Sequence, residues 1–293
     1  MPEGPEVETI RRGLELGIVG QKITAVEVFN GGSFEAPADL RDQILAGARI
    51  AHVQRRAKVL MWELDNEYTL MFHLKMTGQM VLVKADGERF AGGHPTESMA
   101  AGLPDRSTRV AFTFANGDRL YFNDQRKFGW IKLLPTAEVE QDSLVARLGP
   151  EVDAAEFSVT YLAAQLERHA RAPVKAVILD QSTVSGVGNI YADESLHLAR
   201  IHPARLAGSL SAAEVKRLHA AVREIMALGI AHGGTSFAHY VNSLGGTGDY
   251  LEHARVFRRE GQSCPVHPET LVQKIRVAGR GTHICPKCQK LPE

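Results

Sequence analysis

The chain carries three cysteines in 293 residues, and none of them stands before position 264. So sparse and one-sided a set excludes an extracellular domain held together by disulfides. Long apolar runs are missing too: no stretch approaches the roughly 18 consecutive apolar residues that a membrane-spanning helix needs. The N-terminus is acidic and has no basic stretch leading into an apolar one, so it does not read as a signal peptide. These absences point to a reducing, intracellular setting, the cytoplasm, or the nucleoid if the source is bacterial. Net charge is also lacking. The 34 Lys and Arg balance 34 Asp and Glu, which on its face argues against a nucleic-acid binder.

The balance is uneven along the chain. From Leu251 to Glu293 eight Lys and Arg face four Glu, so this tail carries +4 and residues 1–250 carry −4. A basic tail on a near-neutral body can hold a polyanion through one face; the bland alternative is a solvated tail. With 44% apolar and 23% charged residues, the chain is an ordinary globular protein long enough for two domains with cores of their own.

Periodicity divides it further. A first helix starts at Pro5, with Glu6 and Glu8 in its early turns, Arg11 and Arg12 later, and Val7, Ile10 and Leu14 as an apolar stripe. Strand-like runs follow at Ile23–Phe29, Ala48–Leu64, Tyr68–Thr77 and Met80–Val83. Val110–Phe114 and Arg119–Phe122 flank Asn116-Gly117, the signature of a type I′ hairpin. Residues 84–107, rich in Gly, Ala and Pro, read as a loop. The period then changes: Phe157–Ala170, Val174–Gln181, Asn189–Ile201 and Ser211–Ala231 read as helices, the last opened by a Ser211–Glu214 capping box. The expected fold is α+β, with an N-terminal antiparallel β-sandwich over 1–135, a helical domain over 136–250 and a basic, strand-like module over 251–293.

All three cysteines belong to two half-sites, Cys264-Pro-Val-His267 and Cys285-Pro-Lys-Cys288. Two such knuckles around a short turn-rich segment match a closed tetrahedral zinc site on a β-hairpin, holding one structural Zn2+. His283 or His253 could replace His267, but neither completes a C-x-x-H knuckle. Gly186-Val-Gly188-Asn189-Ile-Tyr191 places two glycines and a good cap residue, Asn189, at a helix start, where free backbone amides suit a phosphate. Arg55-Arg56-Ala57-Lys58, His73–Gly78 and Asn123–Gly129 each read alone as surface basic residues with core Met and Phe, but together with a basic zinc module they suggest phosphate clamps and apolar wedges. At the start stands Pro2. It is small enough for Met1 to be clipped, which leaves a secondary amine titrating near 8 against about 10.4 for lysine, so it is neutral roughly a hundred times more often. Its adduct with a sugar aldehyde carbon is an iminium that cannot lose an N–H, an electron sink for eliminations.

The Pro-Glu-x-Pro-Glu start, the Arg-Arg-Ala-Lys strand, the Gly-x-Gly-Asn-Ile-Tyr-Ala-x-Glu helix start and the terminal finger occur in order. Through them the chain resembles the formamidopyrimidine-DNA glycosylase and endonuclease VIII family of bifunctional base-excision repair enzymes over essentially its whole length. The resemblance implies a helix–two-turns–helix element around Asn189, a monomer, and double-stranded damaged DNA as partner. It implies that Pro2 attacks C1′, that Glu3 serves as acid/base at the sugar, and that Lys58 contacts phosphate and assists elimination. Arg280 in the finger hairpin would clamp the phosphates at the lesion. Arg171, Lys175, Asn189, Tyr191 and Lys127 would hold further backbone, while Met76, Arg126 and Phe128 fill the void left by an everted base. Gly4 is similar to the endonuclease VIII branch, whereas Arg11–Leu14, His73–Gly78 and the 242–257 loop with Gly245, Gly246 and Gly248 are similar to the oxidised-purine branch. The expected activity is excision of 8-oxoguanine and formamidopyrimidines with β,δ-elimination. The rival readings are an oxidised-pyrimidine glycosylase and a non-catalytic damaged-DNA-binding homologue.

Overall fold

The computed structural model describes residues 2–94, 102–235 and 248–291. The chain divides into two compact units, residues 1–146 with 233–248, and residues 147–232 with 249–293.

The first unit opens with helix α1 (Gly4–Ile18), one residue earlier than the sequence suggests. Pro5 sits in its first turn, where a missing N–H costs nothing, and Val7, Ile10, Leu14 and Ile18 are fully buried along one face. Strand β1 (Ile23–Val28), strand β2 (Phe34–Glu35) and helix α2 (Ala38–Leu45) follow. The long 48–64 run becomes two strands, β3 (Ile50–Arg56) and β4 (Val59–Leu64), because Ala57 takes a positive φ of 54° and reverses the chain. Then come β5 (Tyr68–His73), β6 (Gly78–Val83), β7 (Arg89–Gly93), β8 (Thr108–Phe114), β9 (Arg119–Asp124) and β10 (Trp130–Pro135). Strand β7 lies inside the stretch read as loop, paired antiparallel with β6.

Among the described residues these strands form two five-stranded sheets, ordered β1-β8-β9-β6-β7 and β2-β10-β5-β4-β3. Only the short β2–β10 pairing is parallel. Inward residues of both sheets make one core, in which Trp62 meets Phe72 and Phe112 at ring-centroid distances of 4.4 and 5.2 Å. Asn116-Gly117 does turn the chain between β8 and β9, but only Gly117 has a positive φ and the closing bonds run from Phe114 to Asp118. The turn is therefore a three-residue loop with a left-handed glycine rather than a type I′ pair. Residues 136–146 stay with this unit, and a Lys132–Asp142 ion pair of 3.1 Å fastens them to β10.

The second unit contains helices α3 (Val159–Arg168), α4 (Val174–Leu179), α5 (Asn189–Leu198), α6 (Ala212–Ala231) and the single turn α7 (Tyr250–His253). The Ser211–Glu214 capping box is present at the head of α6. Leu162, Val174, Ile178, Tyr191, Leu196, Leu218 and Val222 pack into the core of this unit. The basic tail ends in a hairpin of β11 (Gln273–Val277) and β12 (Arg280–Ile284), whose finger has its own small core of Val256, Val272 and the cysteines. No helix among the described residues is long and apolar enough to cross a membrane.

Candidate active site and metal centre

The head of α1 is built around one carboxylate. Glu3 is the N-cap, in extended conformation and only 4% exposed, with Pro2 buried beside it. Glu6 reaches back so that its Oε2 accepts from the Glu3 amide at 2.9 Å. Its Oε1 accepts from the Thr235 amide at 2.7 Å and the Thr235 hydroxyl at 2.9 Å. Gly234 makes room for this: its φ is +74°, and a Cβ there would lie 2.8 Å from Glu6 Oε1. In the sequence Glu6 reads only as a residue suited to the helix dipole. Its spacing of three from the cap residue is the signal that marks it as a clamp.

One turn on, Glu8 gathers Arg11 at 3.0 Å, Arg12 at 2.8 Å and Arg55 at 3.2 Å. Burial alone would raise its carboxyl. Hydrogen bonds from Arg11 and Arg12, with the charges of Arg11 and Arg55, outweigh this and hold it below the usual range. Arg55 also donates to the Ala57 carbonyl at 2.9 Å, so α1 fixes the tight turn that presents Lys58. Lys58 is buried, and its charge is felt at His73. Burial first, then Lys75 and Lys58, push the His73 imidazole down to about 3, so it is neutral and its Nδ1 accepts from the Lys75 amide at 3.0 Å.

Met76 and Phe128, expected as wedges, are 39% and 56% exposed. Asp124 supports both of their loops. Its Oδ1 accepts from the Thr77 hydroxyl, next to Met76, and from the Arg126 amide at 3.2 Å. Its Oδ2 accepts from the Gly129 amide at 2.6 Å, closing the loop that carries Arg126, Lys127 and Phe128. A Cβ at Gly129 would lie 2.7 Å from the Phe122 ring, so that corner admits only glycine. The Arg126 guanidinium stacks over Phe128 at 4.9 Å, and Lys127, at φ 59°, is exposed. Nothing in the sequence singles out Asp124, since a loop-closing carboxylate looks there like a solvated one.

The second unit corrects three expectations. Lys175 is fully buried rather than presented to a phosphate, with Nζ 2.6 Å from Asp193 Oδ1 and 2.7 Å from Thr282 Oγ1. It is a strut between α4, α5 and the finger hairpin. Tyr191 is also fully buried, its ring 5.1 Å from that of Tyr250, and belongs to the core. Asn189 is the first helical residue of α5 rather than its cap, which is Gly188, and its Nδ2 donates to the Gly281 carbonyl at 3.0 Å. Arg280 and Arg171 remain exposed, Arg280 at the first position of β12 after a turn in which Ala278 and Gly279 both take positive φ. Glu194 accepts three backbone amides, from Arg255, Val256 and Phe257, at 2.7–2.9 Å. Burial pushes its carboxyl up, and the three amides offset part of that.

Cys264, His267, Cys285 and Cys288 bring their donor atoms within 4.8 Å of one another. The Cys264 and Cys288 sulfurs are 3.7 Å apart, close to the roughly 3.8 Å edge of a tetrahedron with Zn–S bonds near 2.3 Å, and His267 Nδ1 lies 3.1 Å from Cys288 Sγ. Three thiols and one imidazole in this closed arrangement fit one structural Zn2+. His283 is not among these four converging residues; its amide and Nδ1 face Asp193 Oδ2 at 2.9 and 3.3 Å. His253 lies in a separate cluster with His232 and Asp249. His197, unmarked in the sequence, places its Nε2 3.6 Å from Cys264 Sγ.

The chain matches the family models for the formamidopyrimidine-DNA glycosylase N-terminal domain over residues 1–131 and for the formamidopyrimidine-DNA glycosylase H2TH domain over 148–240. It belongs to the formamidopyrimidine-DNA glycosylase family. A third match, the zinc finger found in FPG and IleRS, covers 270–291. The formamidopyrimidine-DNA glycosylase of Desulforamulus reducens is 41% identical over 99% of both chains. That of Pelotomaculum thermopropionicum is 40% identical over 99% of this chain and all of its own. Among solved structures, the complex between the Lactococcus lactis protein and DNA containing an abasic site superposes with a TM-score of 0.87 at 34% identity, over 99% of this chain and all of the other. A point mutant of that protein, in complex with DNA containing Fapy-dG, gives 0.87 at 33% over the same shares.

Proposed function

We propose that this glycosylase excises oxidised purines, 8-oxoguanine and formamidopyrimidines, from double-stranded DNA and then cuts the strand at the abasic site by β,δ-elimination. Removal of Met1 frees the Pro2 amine, which attacks C1′ as the damaged base departs. Glu3, at the cap of α1, exchanges a proton with the sugar as its ring opens. The resulting iminium acidifies the C2′ proton, and its loss expels the 3′ phosphate; a second elimination expels the 5′ phosphate. Lys58 is the cation that meets phosphate charge as these bonds break. Met76, Arg126 and Phe128 enter the space the everted base vacates, which offsets the few kcal/mol of unstacking. Arg280, Arg171 and Lys127 supply cations to the phosphate backbone.

The observation that carries this reading is the placement of Pro2 and Glu3 together at the head of α1, with the Glu3 amide held by Glu6. The relatives are formamidopyrimidine-DNA glycosylases, and the Lactococcus lactis protein accommodates both Fapy-dG and abasic-site DNA, which supports purine-derived lesions as substrates. Of the 242–257 loop, residues 242–247 lie outside the described residues.

Excision rates on matched duplexes test the lesion range. The expected result is faster release of 8-oxoguanine opposite cytosine than of thymine glycol opposite adenine, by more than about tenfold, or about 1.4 kcal/mol of transition-state preference. Faster release of thymine glycol would place the enzyme with the oxidised-pyrimidine branch.

A further inference from the structure

Outside the finger, a second group of metal-ligating side chains converges among the described residues of the second unit. His232, Asp249 and His253 bring one nitrogen of each ring and the carboxylate within 4.8 Å of one another. We propose that these three residues form a second metal site, for an exchangeable divalent transition ion of the zinc, cobalt or nickel kind.

The spacing suits such an ion. Asp249 Oδ1 lies 2.8 Å from His232 Nδ1, and Asp249 Oδ2 lies 3.7 Å from His253 Nε2. Bonds of about 2.1 Å to nitrogen and oxygen place neighbouring ligands roughly 3.0–3.5 Å apart, between those two values. The imidazole rings are close, with centroids 3.7 Å apart and planes inclined at 38°.

The backbone beneath the three is fixed. His232 caps the C-terminus of α6, where the carbonyl end of a long helix favours a cation. The Asp249 amide donates to the His232 carbonyl at 3.0 Å, and Asp249 begins the turn α7 that ends at His253. A hydrogen-bonded His–Asp pair alone accounts for His232 and Asp249. The i,i+4 spacing from Asp249 adds His253, whose Nε2 faces the other carboxylate oxygen, so two rings and one carboxylate converge.

Two imidazoles and one carboxylate discriminate by donor type. Nitrogen ligands favour zinc-like ions over magnesium or calcium, which take oxygen. Three protein donors leave positions open to water, unlike the closed finger, so the ion exchanges while the finger keeps its own. His232 and Asp249 stand at the two ends of the 233–248 segment, and the bound ion ties those ends together.

The test is a cobalt(II) titration of full-length protein whose finger is already loaded with zinc. A second equivalent is expected, with weak visible d–d absorption and none of the intense near-ultraviolet thiolate charge transfer that cobalt in the finger would give. His253→Ala and Asp249→Asn, both at half-exposed positions, should each weaken this binding by at least about tenfold while the zinc content stays at one, since losing a direct ligand costs no less than losing an outer-shell partner. Absence of a second equivalent, thiolate charge transfer in its spectrum, or binding unchanged in both variants would each overturn the site.

Discussion

Glu6 holds Thr235 by two hydrogen bonds, to its amide at 2.7 Å and to its hydroxyl at 2.9 Å, while its other oxygen holds the amide of Glu3. One buried carboxylate thus joins the proposed catalytic cap of α1 to residues more than two hundred positions away in sequence, across a glycine that could not carry a side chain.

Replacing Glu6 by Gln keeps the shape but leaves one of these amides facing an N–H₂. The expected cost is about 1–3 kcal/mol of stability, the penalty for a buried donor without its acceptor. Base excision should fall further than stability accounts for, because the Glu3 cap loosens with it. Urea unfolding alongside single-turnover excision checks this; an unchanged unfolding midpoint would contradict the clamp.

Lys175 gives a second expectation, opposite to the one its sequence context suggests. As a strut paired with Asp193, its replacement by Met leaves a buried carboxylate uncompensated and should cost about 3–5 kcal/mol. Arg171→Ala, at an exposed cation, should instead leave stability alone and lower the salt dependence of DNA binding by about one charge. If Lys175→Met left stability intact and reduced only the salt slope, Lys175 would be a phosphate contact after all.

The contrast shows what can be read from sequence. The finger was legible because metal ligands must recur at fixed short spacing, and the structure places Cys264, His267, Cys285 and Cys288 together. The sandwich was legible where apolar residues alternate and turns carry glycine. The roles of Lys175 and Tyr191 were not, because a Lys or Tyr inside a motif looks the same whether it faces a phosphate or the core; their partners Asp193 and Tyr250 separate the two. Asp124 was missed for a related reason: its partner Thr77 lies 47 residues away, and spacing along the chain carries no trace of such a contact, just as the spacing of Glu6 from Glu3 gives no hint of Thr235, 229 residues on.

His73 supplies a pH dependence. Its folded-state value of about 3 lies below the ordinary 6.5 of an unfolded histidine, so as pH falls the unfolded chain takes up the proton first. Its contribution is therefore fully present above about pH 6.5 and is lost as pH falls from there toward 3, with a slope of up to about 1.4 kcal/mol per pH unit. Urea midpoints between pH 7 and 4 should fall less steeply in His73→Gln than in the parent, by about one proton's worth of slope. Equal slopes would mean the imidazole is protonated in the folded protein.

The proposed nucleophile is the Pro2 amine, and borohydride trapping identifies the residue that carries the sugar. The mature protein, with Met1 removed, is reacted with an 8-oxoguanine duplex in the presence of borohydride, and the cross-linked peptide is sequenced by mass spectrometry. The sugar is expected on the N-terminal peptide, at Pro2. A form with an uncleaved N-terminal extension is expected to bind the duplex but neither trap nor cut it. Attachment at Lys58 or another lysine, or full trapping by the extended form, would contradict the assignment to Pro2.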